Sequence, residues 1–399
     1  MDKPYIYGFG KELYDRGLVT ANATLWKPHR KLLNPAFNQQ ILNTFVQEYS
    51  ATARRLVSEL APQVDKDPFD VTPYLLRNVL KAVYKTTIGV RPNDYDQEVT
   101  IETYATLTDK FYGYLWYRLQ SVWLHLPLIF NMSSLAKKQT ELVKTLKSIT
   151  ETIITKRKSE RKLNVYEDSM KETKPGYKSV LDQLLEAGEK QETFTDEEIR
   201  EHLDTIIGAA YDSSTRAMTF CLVLVGSYPD VQARISNELQ EVFGDDDGDL
   251  TKLDLPKLVY LEAVLKETLR LYPPVPRIAK CSEAAVKLKN YTLPAGSTIG
   301  ISLYAMNRNP VWGADANEFN PERWLSSATL PDNPNAFATF SIGKRNCVGK
   351  QYSMMAMKTT LAYILRRYHV TGDIKNVQCI SDLICKPVAG HHIRLKLRK

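Results

Sequence analysis

The sequence is short of cysteine, with five in 399 residues: Cys221, Cys281, Cys347, Cys379 and Cys385. An odd number at irregular spacing argues against a disulfide framework. No CxxC pair and no His/Cys cluster has zinc spacing. A reducing, cytosol-facing compartment fits that usage. Long apolar runs are missing too. No stretch of about 18 apolar residues occurs, and the opening MDKPYIYGFG carries no signal-peptide or anchor pattern. As written, these residues are not expected to span a membrane.

Strong charge of one sign is also absent. Lys and Arg number 53 against 46 Asp and Glu, a formal net charge of +7. A nucleic-acid binder usually concentrates its basic residues in runs with aromatics between them. Here the densest run, Lys156 to Lys162, ends a long amphipathic helix pattern and reads as a solvated helix end. The acidic GDDDGD stretch at 244–249 invites a calcium reading, but an EF-hand needs an acidic ligand at a fixed distance before its glycine. Counting back from Gly248 reaches Phe243, so an exposed turn is expected. Neither a linker nor an internal repeat divides the chain, and residues 1–399 are expected to form a single domain, against the length-based prior for two.

What is present is helical periodicity. Apolar residues recur at three- and four-residue spacing through about 40–61, 71–89, 133–161, 195–227 and 256–271. Thr195 or Asp196 can cap the fourth of these, and Pro229 stands just past its end. Short β signals come late, at 285–289, 297–301 and 392–397. The fold class is therefore mainly α with small β-sheets in the C-terminal half. A polar, Pro-Gly-containing loop is expected at 163–177.

The strongest chemical signal is Phe340-Ser341-Ile342-Gly343-Lys344-Arg345-Asn346-Cys347-Val348-Gly349. A glycine-bearing loop here delivers one cysteine to the start of a helix expected at 348–366. The positive end of that helix, with Arg345 and Lys344, favours a thiolate. A lone thiolate on a tight loop is the ligand type that pushes electron density into a haem iron. Gly343 permits the sharp turn, Gly349 lets the helix approach the cofactor closely, and Phe340 is placed to cover the sulfur. A phosphate loop is ruled out, because the two glycines have the wrong separation and Gln351 stands where Ser or Thr is needed.

This FxxGxRxCxG pattern resembles the haem-binding loop of the cytochrome P450 family. Five fixed positions predict on the order of 10⁻⁴ chance matches in a chain of this length. The resemblance extends over essentially the whole sequence. It implies that Glu267 and Arg270 pair across one helical turn and are joined by Arg323 of the Phe319-to-Trp324 segment in a buried, structural charge triad. It implies that Ala210 leaves room for oxygen above the haem, while Asp212 and Ser213 relay protons to the reacting oxygen. Ser213 stands where Thr is usual. Trp26 and Arg30, four apart on one helix, would hold a haem propionate together with Arg345 and Lys280. Lys280 replaces the commoner Arg and offers a point charge rather than a fork. Cys347 would be the iron ligand.

The stretch from Phe194 to Thr205 is similar to the animal and insect clan that includes the fatty-acid omega-hydroxylases. Ala209 stands where that clan often carries a Glu that esterifies the haem, so covalent attachment is not expected. The Trp26–Arg30 helix begins at about residue 24, where microsomal members place it well over a hundred residues in. The chain is accordingly expected to be N-terminally truncated, lacking the anchor, the first helices and part of the first sheet. The apolar segment Val122 to Phe130 suits either an interfacial contact or a core-packed loop.

The resemblance implies a monooxygenase that uses haem b and O2 to insert one oxygen atom into a hydrophobic substrate: a fatty acid, a hormone or pheromone, or a xenobiotic. Electrons would come from NADPH through cytochrome P450 reductase, with cytochrome b5 as a second donor. Lys27, Lys31, Lys344 and Lys350 would meet the acidic reductase surface. The full-length form would sit on the cytosolic face of the endoplasmic reticulum membrane. The alternatives are an inactive truncated haem-binding fragment, a haem-thiolate isomerase or dehydratase, against which Asp212 and Ser213 argue, and a haem-free helical scaffold.

Overall fold

The computed structural model describes residues 3–89, 97–162, 177–191, 194–244 and 248–398. Most of the polar loop expected at 163–177 and the centre of the acidic turn at 245–247 lie outside those residues. Among the described residues, ten longer helices run in chain order: α1 Ala23–Leu33, α2 Gln39–Leu60, α3 Thr72–Val83, α4 Gln97–Gln120, α5 Ser134–Lys162, α6 Val180–Gln191, α7 Asp196–Ser227, α8 Pro229–Phe243, α9 Val259–Leu271 and α10 Lys350–Arg367. The strands are short: β1 Phe69–Asp70, β2 Arg277–Cys281, β3 Val286–Lys287, β4 Thr292–Leu293, β5 Thr298–Ser302, β6 Tyr368–Gly372, β7 Cys379–Ser381, β8 Cys385–Pro387 and β9 His392–Leu397. The mainly α class expected from the sequence is observed. Residues group into two compact units, the first of 1–41, 83–209 and 278–301, the second of 42–82, 210–277 and 302–399.

In the first unit, α4 and α5 pack along each other. Tyr104, Phe111, Leu142 and Leu146 are buried there, each such apolar side chain contributing roughly 1.5–3 kcal/mol. The polar groups buried with them are paired, as a low-dielectric interior requires. Asp204 accepts hydrogen bonds from Thr150 at 2.6 Å and Arg200 at 2.9 Å. Arg157 grips Asp182 with two bonds of 2.8 Å. At the start of α7 the cap proves to be Thr195: its Oγ1 accepts the Glu198 N–H at 3.2 Å, and Glu198 Oε2 accepts the Thr195 N–H at 2.9 Å. This reciprocal box satisfies two amides that the first helical turn cannot pair itself. Strands β2 and β5 pair, and β3 and β4 form an antiparallel ribbon.

The second unit holds α2, α3, the C-terminal half of α7, and α8 to α10. Its three-stranded sheet has the order β1-β9-β6, antiparallel throughout, with Val370 opposite Leu395 and Phe69 opposite Ile393. Phe45, Tyr49 and Tyr352 meet edge to face in its core. Helix α7 approaches the sheet through glycine. A Cβ on Gly226 would collide with the amide of Gly372, and one on Gly372 would lie 2.8 Å from the carbonyl oxygen of Val223. Two backbones touch directly here, with no side chain between them.

Candidate active site

The loop that carries Cys347 is built by its own backbone. The Cys347 amide donates to Phe340 O at 2.8 Å, Asn346 N to Gly343 O at 3.1 Å and Ser341 N to Ala338 O at 2.7 Å. Gly343 has φ +77°, a left-handed conformation that glycine adopts without strain, and Ser341 shares that region at φ 58°. Gly349 follows as the N-cap of α10, and a Cβ there would lie 3.9 Å from the Cys347 sulfur. The loop thus brings together Phe340, Gly343, Arg345, Cys347 and Gly349. Phe340 and Arg345 are half-buried, and Cys347 is exposed, unlike Cys221 and Cys385, which are buried.

A buried charge cluster braces this loop from behind. Glu267 receives both Arg270 Nε and Nη2 at 2.8 Å, Arg323 Nε at 3.0 Å, Trp324 Nε1 at 2.9 Å and the Asn320 amide at 3.0 Å. Arg270 uses its remaining donors on the carbonyls of Asn307, Ala316 and Glu318. Glu267, Arg270 and Arg323 are nearly inaccessible to solvent, so the pairing only holds because almost every donor and acceptor is met. Asn307, which sequence reasoning missed, extends the cluster: its Nδ2 donates to Arg270 O at 2.9 Å and to Thr339 Oγ1 at 3.2 Å. Thr339 is the residue before Phe340, so the cluster holds the residue that leads into the cysteine loop.

Helix α7 supplies the second set of residues. From Ile199 to Gly226 it is buried except at Ala209, Ala210, Ser213 and Arg216. Those positions recur at helical spacing, so one narrow face made largely of small side chains stays uncovered. Asp212 is buried next to that face, and its Oδ1 accepts Arg216 Nε at 3.0 Å. Sequence reasoning did not single out Arg216, although its place one turn after Asp212 was a visible signal. Below the same stretch, His391 is held by Thr72 on Nδ1 at 3.0 Å and Thr219 on Nε2 at 3.1 Å. Burial, then the charge of Arg216, lowers its pKa to about 3.

Trp26, Arg30 and Lys280 belong to the first unit. Trp26 and Arg30 lie one turn apart on α1, half-exposed, and Arg30 Nε donates to Asn34 Oδ1 at 2.7 Å. Lys280 is half-exposed on β2, and Lys27, Lys31, Lys344 and Lys350 are exposed.

The donor set can be tested against a haem. Among the described residues, the one group of three or more His, Cys, Asp or Glu side chains close enough to share an ion is Asp15, Glu197 and Glu201, far in sequence from Cys347. A metal bound at Cys347 must therefore bring its other ligands with it, as porphyrin iron does. A single outward-facing thiol on a turn, with a small-residue helix face elsewhere in the chain, fits that group.

The sequence profile of the cytochrome P450 family matches residues 1–391. The chain is 31% identical to cytochrome P450 4V2 of Mus musculus over 100% of its own length and 77% of that protein. It is 30% identical to cytochrome P450 4c21 of Blattella germanica, covering 92% of this chain and 74% of that one. With cytochrome P450 4d8 of Drosophila melanogaster it shares 30% identity over 96% of this chain and 84% of the relative. The expected animal and insect branch is thus the one to which the chain is similar.

Proposed function

We propose, from the premise that this chain belongs to the cytochrome P450 family, that it is a haem monooxygenase that inserts one oxygen atom into a hydrophobic substrate. The observation that carries the reading is Cys347: an exposed thiol on a backbone-bonded turn at a helix start, outside any multi-residue metal site among the described residues.

Haem b, when bound, supplies the activation of O2 and the oxidising power. The remaining work falls to this chain's own side chains. Cys347 would hold the iron, from its place just before the start of α10. Arg30, Lys280 and Arg345 would each be a cation for the propionates, with Trp26 as a neutral donor. Ala210 keeps the helix face low. Asp212 and Ser213 hold and pass protons, a task that needs a fixed acid and a rotatable hydroxyl. Electrons come from NADPH through a flavoprotein reductase that meets Lys27, Lys31, Lys344 and Lys350, with cytochrome b5 as an auxiliary donor. Residues 1–399 form a single domain in this reading, and the full-length form would work at the cytosolic face of the endoplasmic reticulum, in contact with the membrane surface. No helix among the described residues is long and apolar enough to cross a membrane. Contact with the membrane surface would run through Val122 to Met132, where Val122, Trp123, Leu126, Leu128 and Met132 are exposed around the buried Leu124 and Phe130.

The test is the reduced carbon-monoxide difference spectrum of the chain expressed with haem supply. A red-shifted thiolate band that disappears in Cys347→His supports the reading. A blue-shifted band or absence of haem in the unmutated chain overturns it in favour of an inactive fragment. Product formation from a panel of fatty acids, hormones and xenobiotics with reductase then identifies the substrate class.

A further inference from the structure

Two cysteines lie together at a place the haem chemistry does not use. Strands β7 and β8 pair antiparallel, with Cys379 opposite Pro387, Ile380 opposite Lys386 and Ser381 opposite Cys385. Alternate residues share a face of the ribbon, so Cys379 and Cys385 are diagonal neighbours on the same face. Each thiol shifts the titration of the other. The two thiols are otherwise unlike. Cys379 is exposed and Cys385 is buried. The neighbouring Cys385 thiol, with a smaller contribution from the Arg308 charge, holds Cys379 below the ordinary thiol range, while Cys385 is pushed up by its neighbour and by burial. The ribbon is anchored at the buried cysteine: the Cys385 amide donates to Pro274 O at 2.8 Å. Its turn is short and closed by Asp382, which accepts the Ile384 amide at 3.0 Å and pairs with Lys386 at 2.7 Å.

An accessible thiol with raised thiolate character beside a shielded partner is the arrangement of an attacking and a resolving cysteine. We propose that Cys379 and Cys385 are a redox-responsive pair, oxidised by a peroxide to a disulfide that clamps β7 to β8. In the first step the Cys379 sulfur attacks a peroxide oxygen. An S–O bond forms, the O–O bond breaks, and water leaves when the oxidant is hydrogen peroxide. In the second step the Cys385 sulfur attacks the sulfenic sulfur. The S–S bond forms, the S–O bond breaks, and the departing hydroxide takes the Cys385 proton as a second water. Two thiols lose two electrons and two protons in total, and the peroxide gains them. A dithiol reductant reverses the bond. Diagonal pairs on a ribbon are set about 7–8 Å apart at their backbones, beyond the usual disulfide span, so closure tightens the twist of the ribbon. The clamp therefore changes the shape of this segment as well as its mobility.

The experiment treats the haem-loaded full chain with one equivalent of hydrogen peroxide, alkylates remaining thiols and maps them by mass spectrometry. Trypsin cuts after Lys375 and leaves both sulfurs in one peptide. The expected result is loss of both alkyl labels from that peptide together with the mass of two hydrogens, restored by dithiothreitol. In Cys385→Ser, a sulfenic-acid trap such as dimedone should label Cys379 at least fivefold more than in the unmutated chain. Cys379→Ser, at an exposed position, should leave Cys385 reduced. Retention of both labels while Cys281 oxidises, or oxidation of Cys379 to sulfinic acid with Cys385 still reduced, overturns the proposal.

Discussion

The Asp212 carboxylate and the Arg216 guanidinium meet at 3.0 Å, one helical turn apart on α7. The partner fixes where the acid points, and a proton relay depends on position before strength. Replacing Asp212 with Asn keeps the shape and removes the acid. Product formation should fall by about 10²-fold, with the carbon-monoxide spectrum unchanged. Arg216→Met leaves the acid in place but unanchored, and should raise the share of NADPH oxidised without product. Equal coupling in Arg216→Met and the unmutated chain would show that the pair has no positioning role.

Glu267 is shared by Arg270, Arg323 and Trp324 in a dry environment. Removing one partner of such a cluster leaves charge buried and uncompensated, a loss of about 3–5 kcal/mol. Glu267→Gln and Arg323→Met should each lower the unfolding free energy from urea titration by that amount and reduce haem content. Asn307→Ala should cost less, about 1–3 kcal/mol, because it removes neutral bonds to Arg270 and Thr339. Its loss of haem should exceed its loss of stability, since it acts on the cysteine loop.

Two buried histidines contribute to the acid limb of stability. Burial holds His391 and His202 at about 3, with the Arg216 charge and His29 as the respective second causes. Both are neutral in the folded chain and gain a proton near 6.5 once unfolded. Their contribution is complete above about 6.5 and falls as pH drops toward 3. Glu201 works in the opposite direction. Burial, then the Asp15 charge, raises it to about 7, so its contribution is present below about 4.5 and lost as pH rises through 7. Thermal melts should show His391→Asn flattening the acid limb, and Glu201→Gln gaining on the order of 2 kcal/mol at pH 8 relative to pH 5.

The exposed segment offers Trp123, Leu128 and Met132 as apolar tips. Immersing such a side chain in lipid gains roughly 1.5–3 kcal/mol, about tenfold or more in partitioning. Trp123→Ser and Leu128→Ser should each weaken co-sedimentation with phosphatidylcholine vesicles by about that factor, with turnover of a detergent-soluble substrate unchanged. Undiminished sedimentation in the double variant would count against contact at this segment.

Several elements were legible in the residues because local rules agree with the fold. The helices expected at 40–61 and 133–161 are observed as Gln39–Leu60 and Ser134–Lys162, and the strand at 392–397 has the expected bounds. Helix α4 was not read. Its buried stripe of Tyr104, Ala105, Thr108, Phe111, Leu115 and Arg118 includes a hydroxyl and a guanidinium, which break an apolar pattern. Arg118 is affordable there because it lies over the Phe130 ring at 3.4 Å and donates to Leu124 O. Neither partner is near it on the helix. The Asn307 bridge was equally hidden, since its partners Arg270 and Thr339 lie more than thirty positions away on either side. The Glu267 cluster was legible only through the family resemblance, as spacing alone pairs Glu267 with Arg270 and says nothing of Arg323.

Where Gly226 and Gly372 bring α7 onto the sheet, the contact has no rotamers to reshuffle and no methyl to trim. Neither position can drift to alanine and be rescued by a smaller neighbour, because the neighbour is already backbone. Random mutagenesis should find both sites intolerant and uncoupled to any suppressor in the surrounding core. At this seam the backbone contact itself leaves glycine as the one letter that fits.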